Sequence, residues 1–162
     1  MKKKILFVCL GNICRSPSAE AVFSYIVQKE GVADLFDIDS AGTSGYHIGE
    51  NADFRMQQHA TKRGYNLTSI SRKFIPDTDF DQFDYIIGMD DENVRNLKIM
   101  VRNSNDLLKI HMMTDFMDNP KQHGIPDPYY GNEQGFELVL DLLEEAGSGL
   151  LKRLTKQSKK IK

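Results

Sequence analysis

Cys9 and Arg15 are separated by Leu10-Gly11-Asn12-Ile13-Cys14, and Ser16-Pro17 follows. A thiol and a guanidinium at that spacing can serve one phosphoryl group. The thiolate attacks phosphorus, and the planar fork of Arg15 grips two oxygens. The run before the loop, Ile5-Leu6-Phe7-Val8, is continuously apolar and reads as a buried strand. After it, Ser16 reads as a helix N-cap and Pro17 as the first helical residue. Between a strand end and a helix start, the backbone N–H groups of Leu10, Gly11, Asn12, Ile13, Cys14, Arg15 and Ser16 can converge on an anion. Gly11 permits a tight backbone there, and Asn12 tolerates a left-handed one. The same positive field favours the thiolate of Cys9, to which Ser16 can donate its hydroxyl.

A nucleophile on phosphorus also needs an acid for the leaving oxygen. Asp127 sits in Ile125-Pro126-Asp127-Pro128-Tyr129-Tyr130, where two prolines stiffen the chain around one carboxylate. Tyr129 and Tyr130 offer an aromatic wall beside it. Each feature alone also fits a plainer role. Cys9 could be a small buried hydrophobe, Arg15 a surface ion pair, the Asp127 stretch an ordinary turn, and the tyrosines core packing.

The elements that position these residues follow from pattern. Ala19, Val22, Phe23, Ile26 and Val27 share a helical face that Gly31 ends. Phe36 to Ala41 reads as a second strand, and Gly42-Thr43-Ser44-Gly45 as a loop. Asn51 is expected to cap a helix reaching Arg63, with Phe54, Met56 and Ala60 apolar. Residues 65–79 carry no clear period. Asp84 to Met89 is a third strand, followed by a helix capped by Asp90 or Asp91. Leu108 to Met112 is a fourth strand, Thr114 to Pro128 a polar loop, and Glu133 to about Leu154 a last helix interrupted in propensity by Gly147 and Gly149. Strands alternating with helices predict an α/β fold: a single doubly wound domain, a four-stranded parallel sheet with helices on both faces. Ligands of such sheets sit beyond the carboxyl ends of the strands, where Cys9, Ser40, Met89-Asp90 and the loop after Met112 all fall. The domain is expected to span 1–155, with 156–162 a basic C-terminal tail that frays.

Composition narrows the chemistry. The chain has 162 residues, a net charge of −2 and 27% charged residues, an ordinary balance that argues against a nucleic-acid partner. No apolar run approaches the ~20 residues of a membrane helix, and the basic start lacks a cleavage site, so neither membrane nor export is expected and the cytoplasm is. The two cysteines and four scattered histidines have no metal-ligand spacing, so neither metal nor other cofactor is expected. No nucleotide-binding Gly-x4-Gly-Lys-Ser/Thr loop occurs, which leaves a kinase without support.

Together, Val8-Cys9-Leu10-Gly11-Asn12-Ile13-Cys14-Arg15-Ser16-Pro17 and Asp127-Pro128-Tyr129-Tyr130-Gly131 resemble the low-molecular-weight protein tyrosine phosphatases. Ser40-Ala41-Gly42-Thr43 and Asp84 to Asp90 are similar to internal blocks of that family. The resemblance implies hydrolysis of phosphotyrosine proteins or peptides and small aryl phosphates through a cysteinyl-phosphate, with inorganic phosphate as product. It implies Cys9 as nucleophile, Asp127 as acid and then base, and Arg15 with the loop amides as phosphate ligands. Asn12, Ser16 and Ser40 would support the loop. Ile13, Tyr46, Tyr129 and Tyr130 would line the substrate cleft. Cys14 would trap an oxidised Cys9 in a disulfide. The enzyme would work as a monomer or weak dimer. Relatives acting on phosphoarginine carry threonine where Ile13 stands, so isoleucine favours an aromatic ring. The family often has a histidine near Leu67 to Lys73, where this chain has Ser69. His47 either touches substrate or is an exposed loop histidine. Competing readings are a phosphoarginine phosphatase or an arsenate reductase on the same fold, the latter short of relay cysteines, and a non-enzymatic phosphocysteine carrier or phosphate-binding module.

Overall fold

The computed structural model describes every residue except Lys121, Tyr130 and Lys162, and side chains as far as Lys156. Four strands, β1 (Lys3–Cys9), β2 (Phe36–Gly42), β3 (Tyr85–Gly88) and β4 (Ile110–Met112), form one parallel sheet in the order β2-β1-β3-β4. The apolar run of β1 is buried on both faces. Ile5, Phe7 and Cys9 enter one core with α1 (Arg15–Lys29) and α6 (Glu133–Ile161). Leu6 and Val8 enter the other, with Phe74, Phe80, Phe83 and Leu97. Those last residues come from α3 (Pro76–Gln82), α4 (Asp91–Ile99) and the chain beside them. The sheet is therefore covered on both sides, and the period-2 alternation of β1 feeds both cores.

The strand order reverses between β1 and β3. The chain leaves β1 for β2 on one side, then crosses to β3 on the other. Such a switch point opens a crevice at the carboxyl ends of the two strands. Cys9 ends β1, and Asp90 follows β3 by one residue beyond Met89.

Several local expectations are corrected. Ser16 does not cap α1; the N-cap is Cys14, without a side-chain cap, because the Ser16 hydroxyl is turned toward Cys9 instead. The helix expected from Asn51 is α2 (Phe54–Lys62), and its cap is Asp53, whose Oδ1 accepts from the backbone N–H groups of Arg55 (2.9 Å) and Met56 (3.2 Å). Two cap-forming residues stand two apart there, and Asn51 pairs with Ile70 in an isolated bridge. Phe54, expected on the apolar face, is exposed, while Met56 and Ala60 are buried. Leu108 belongs not to β4 but to α5 (Ser104–Leu108), which Asn103 caps. Part of the unassigned stretch 65–79 becomes α3, with Pro76 in its first turn. The backbone of α6 continues past Leu154 to Ile161.

Gly147 and Gly149 do not break α6, because packing rather than propensity sets its course. A Cβ on Gly149 would lie 1.8 Å from the Phe116 carbonyl oxygen, and one on Gly147 would lie 2.9 Å from Ile26 Cδ1. The helix approaches the 3-10 turn Met113–Phe116 and α1 only because these side chains are missing. Gly149→Ala is expected to destabilise the fold by about 2–3 kcal/mol, the cost of forcing an overpacked contact. Exposed Ser148→Ala should stay within about 0.5 kcal/mol of the parent. Urea unfolding of the two variants makes the comparison.

Candidate active site

The loop after β1 is shaped by where its carbonyls go. The Cys9 carbonyl accepts from Thr43 N–H (3.0 Å), Leu10 from Ser44 N–H (2.9 Å), and Ile13 from Asp53 N–H (2.8 Å). The Gly11 carbonyl accepts from Ser71 Oγ (2.9 Å), and Cys14 from Ser18 Oγ (2.6 Å). In a trans peptide the N–H points opposite the C=O. Carbonyls bound to the surrounding protein therefore turn the loop amides toward the opposite side, into the cradle. Asn12 makes the bend, with φ 57°. Its side chain fastens the bend, because Oδ1 accepts from Arg72 N–H (3.0 Å) and Nδ2 donates to Ser16 Oγ (2.7 Å) and Ser40 Oγ (3.0 Å). Gly11 has no left-handed φ; its missing Cβ instead admits the His47 ring, whose Cδ2 would lie 2.9 Å from it.

Cys9 lies at the floor. Its Sγ is 3.0 Å from Ser16 Oγ, and the Asn12 N–H donates to it over 3.3 Å. Asn12 already donates to Ser16 Oγ, and so does nothing to take up the hydroxyl proton. That proton is left to Cys9 or, over a longer 3.4 Å, to the Ala41 carbonyl. Ser40 in turn donates to Glu20 Oε1 (2.6 Å). The Glu20 carboxylate also interacts with the Ser69 hydroxyl, so Ser69 joins the network from the position where the family often has histidine.

Arg15 is buried. Its Nη1 donates to Asp90 Oδ2 (2.5 Å) and to the Ile125 carbonyl (3.1 Å), and its Nη2 lies 3.6 Å from Asp127 Oδ2. Burial opposes the guanidinium charge, but Cys9, Asp90 and Asp127 outweigh it and hold Arg15 above its ordinary pKa. Asp90 serves two structures at once: Oδ1 caps α4 by accepting from Asn93 N–H (2.8 Å), and Oδ2 aims Arg15. Sequence reading found the cap and missed the clamp. The position of Asp90 at the carboxyl end of β3 was the available signal.

Asp127 is held at the mouth. Its Oδ1 accepts from Tyr129 N–H (3.0 Å), while Arg55, paired with Asp53, donates to the Tyr129 carbonyl (3.0 Å). The Arg55 guanidinium also lies 5.6 Å from the centre of the Tyr129 ring. Cys9, Leu10, Gly11, Ile13, Cys14, Arg15, Tyr46, Asp127 and Tyr129 thus border one cleft of about 380 Å³, joined by Ser44 and His47. Asn12, Ser16 and Ser40 stand behind it, and Tyr130 lies outside the described residues. His47 is bound through Nδ1 to Glu50 (2.7 Å), with its ring 6.2 Å from that of Tyr129. Among the described residues, no cluster of three or more metal-ligating side chains occurs.

Burial pushes the Cys14 thiol well above its ordinary range, and the charges of Asp53, Cys9 and Asp127 add to this. A raised pKa leaves Cys14 protonated at neutral pH, whereas the attacking species is a thiolate. Iodoacetate at neutral pH is therefore expected to alkylate Cys9, with Cys14 slower by about tenfold or more. Peptide mass mapping after timed quenching reads the ratio.

A family model described as low molecular weight phosphotyrosine protein phosphatase matches residues 4–160. The low molecular weight phosphotyrosine protein phosphatase of Gallus gallus is 48% identical over 143 residues, covering 86% of this chain and 87% of that one. A protein tyrosine phosphatase of Entamoeba histolytica, solved with Hepes in its active site, superposes with a TM-score of 0.93 at 44% identity, covering 97% of this chain and 99% of that one. The drosophila arginine phosphatase superposes with a TM-score of 0.86 at 30% identity, covering 95% and 98%. The parallel sheet with helices on both faces is thus shared with these solved structures, and the chain belongs to the low molecular weight phosphotyrosine protein phosphatase family.

Proposed function

We propose that the chain hydrolyses phosphotyrosine in proteins or peptides, and small aryl phosphates, through a cysteinyl-phosphate. The observation that carries this reading is the convergence of Cys9, Arg15 and Asp127 on one cleft, with Asp127 3.6 Å from the guanidinium that would hold the phosphate. The Cys9 thiolate attacks phosphorus from the cradle floor while the bond to the tyrosine oxygen breaks. Arg15 and the amides of Leu10 to Ser16 take up the charge of the equatorial oxygens. Asp127 donates its proton to the departing phenolate. The resulting carboxylate then takes a proton from water as water attacks phosphorus. The S–P bond breaks, Cys9 leaves as thiolate, and inorganic phosphate is released. Ser16 donates to that thiolate in both steps, as nucleophile and as leaving group. No step calls for a cofactor or a metal.

Ile13, Tyr46 and Tyr129 form the walls beside the cradle and suit a flat ring. Cys14 borders the same cleft, and in this reading its thiol condenses with a sulfenic acid formed on Cys9 by a peroxide, giving a disulfide and water. Turnover requires a reduced Cys9, a condition that the reducing cytoplasm meets, which supports a cytoplasmic enzyme. Every catalytic group comes from one chain, so the reading works for a monomer or a weak dimer.

Asp127→Ala is expected to lower kcat/KM, which reports the steps up to loss of the phenolate, about 10²–10³-fold on phenyl phosphate, and far less on p-nitrophenyl phosphate, whose phenolate leaves without help. Equal losses on the two substrates would remove Asp127 from the acid role. The likeness to an arginine phosphatase makes substrate class the second test. Among phosphotyrosine, phosphoserine and phosphoarginine peptides, kcat/KM should favour phosphotyrosine by about 100-fold or more, a margin set by burial of the ring. A preference for phosphoarginine would replace the reading.

A further inference from the structure

Asp127 stands between two tethers. Two residues before it, the Ile125 N–H donates to the Met89 carbonyl (2.7 Å), just past the end of β3, and the Ile125 carbonyl accepts from Arg15 (3.1 Å). Two residues after it, the Tyr129 carbonyl accepts from Arg55 Nη2 (3.0 Å). Pro126 and Pro128 fix their own φ angles in between, and the Tyr129 N–H holds Asp127 Oδ1 (3.0 Å). The carboxylate therefore goes where the tethers put it. Arg55 is itself held. Its Nη2 pairs with Asp53 Oδ2 (3.1 Å), its Nε reaches Asp53 Oδ1 (3.4 Å), and its guanidinium lies 5.6 Å from the centre of the Tyr129 ring and 5.0 Å from that of Phe136. His59, one turn further along α2, stacks on the same Phe136 ring. Asp53 in turn caps α2 and donates its N–H to the Ile13 carbonyl of the phosphate loop (2.8 Å).

We propose that Arg55 is a positioning residue for the general acid: it sets the place from which Asp127 reaches the leaving oxygen, and it sets that place relative to the phosphate loop. The connection is continuous. It runs from the Ile13 carbonyl through Asp53, Arg55 and the Tyr129 peptide to Asp127, and ends where Arg15 Nη2 lies 3.6 Å from Asp127 Oδ2. Both ends belong to the stretch from Cys9 to Ser16, one at its backbone and one at its guanidinium. An arginine suits the task because Nη2 carries two protons fixed in the guanidinium plane, one for the Asp53 carboxylate and one for the Tyr129 carbonyl. The described residues that border the cleft do not include Arg55, so its influence on the reaction passes through Asp127. An acid matters most where the departing phenolate is basic. Loss of Arg55 is therefore felt on poor leaving groups and spared on good ones. This inference rests on Asp127 acting as the acid, as proposed above.

The experiment measures kcat/KM on phenyl phosphate and on p-nitrophenyl phosphate for the full chain carrying Arg55→Ala, Asp127→Ala, or both. Arg55→Ala should lose about tenfold to a hundredfold on phenyl phosphate, the cost of a carboxylate displaced by about an ångström, and stay within about twofold on p-nitrophenyl phosphate. Added to Asp127→Ala, it should cost no more than about twofold on either substrate, because a residue that acts through another has nothing left to act on. Asp53→Asn keeps a good helix cap but weakens the hold on Arg55. It should show the same pattern at about threefold to tenfold, the range spanned by one weakened hydrogen bond, and it decides the matter where Arg55→Ala does not fold. No loss, or equal losses on the two substrates, in these single variants overturns the proposal and leaves Asp127 as the acid. So does a loss on phenyl phosphate that persists in the Asp127→Ala background. Equal losses for Asp127→Ala itself strike the acid role, and the proposal falls with it.

Discussion

The carboxamide of Asn12 holds the active loop in shape. One buried side chain accepts from Arg72 N–H and donates to both Ser16 and Ser40, while its own backbone adopts the left-handed bend on which the loop turns. An asparagine pays little for that backbone conformation, and its short amide bonds locally. Fully satisfied buried polar networks specify one arrangement, because any rearrangement leaves a donor or acceptor unpaired in a low dielectric. The loop carbonyls follow the same logic. Those of Cys9, Leu10, Gly11, Ile13 and Cys14 are each bound by the surrounding protein, so the amides on the other side are committed to the cradle before any anion arrives.

Such preorganisation concentrates charge, and the fold supplies the counterweights. Arg15 is a buried guanidinium, and removing a partner from a buried ion pair costs about 3–5 kcal/mol. Its anchor is Asp90, which also caps α4. The guanidinium is therefore aimed by a helix start on the far side of the switch point, and the crevice between β1 and β3 is stitched across its mouth. Asp127 approaches the same guanidinium from a loop pinned by Arg55 at the Tyr129 carbonyl. In the proposed mechanism, binding and proton transfer both depend on one arginine fork reached from two other parts of the chain, Asp90 and the loop that carries Ile125 and Asp127.

The same rule of competing partners explains where local reading went astray. Ser16 has the composition of an N-cap, yet its hydroxyl belongs to the network under Cys9. Asn51 lost the cap of α2 to Asp53, two residues on. Gly147 and Gly149 look like helix breakers, and are in fact the reason α6 lies so close to α1 and to Phe116. In each case a tertiary contact outweighed a propensity worth about 1 kcal/mol or less.

By itself the sequence determined the parallel α/β layering, through one continuous apolar strand and alternating helical periods. It also determined the chemistry of the loop, because Cys9, Asn12, Arg15 and Ser16 lie within a single strand-loop-helix unit whose geometry is local. Asp127 was legible as a stiffened carboxylate and Tyr129 as a candidate for an aromatic wall, whereas Tyr46 entered only through the family resemblance. Only the tertiary structure decided that Asp90 aims Arg15, that Arg55 pins the Asp127 loop, that His47 packs on Gly11, and that Glu20 with Ser69 ends the chain behind Ser40. Those residues are far apart in sequence and carry no period or motif. Their roles arise from charges and hydrogen-bond donors that burial forces to find partners, and the partners are set by which strand ends and helix faces the fold brings together.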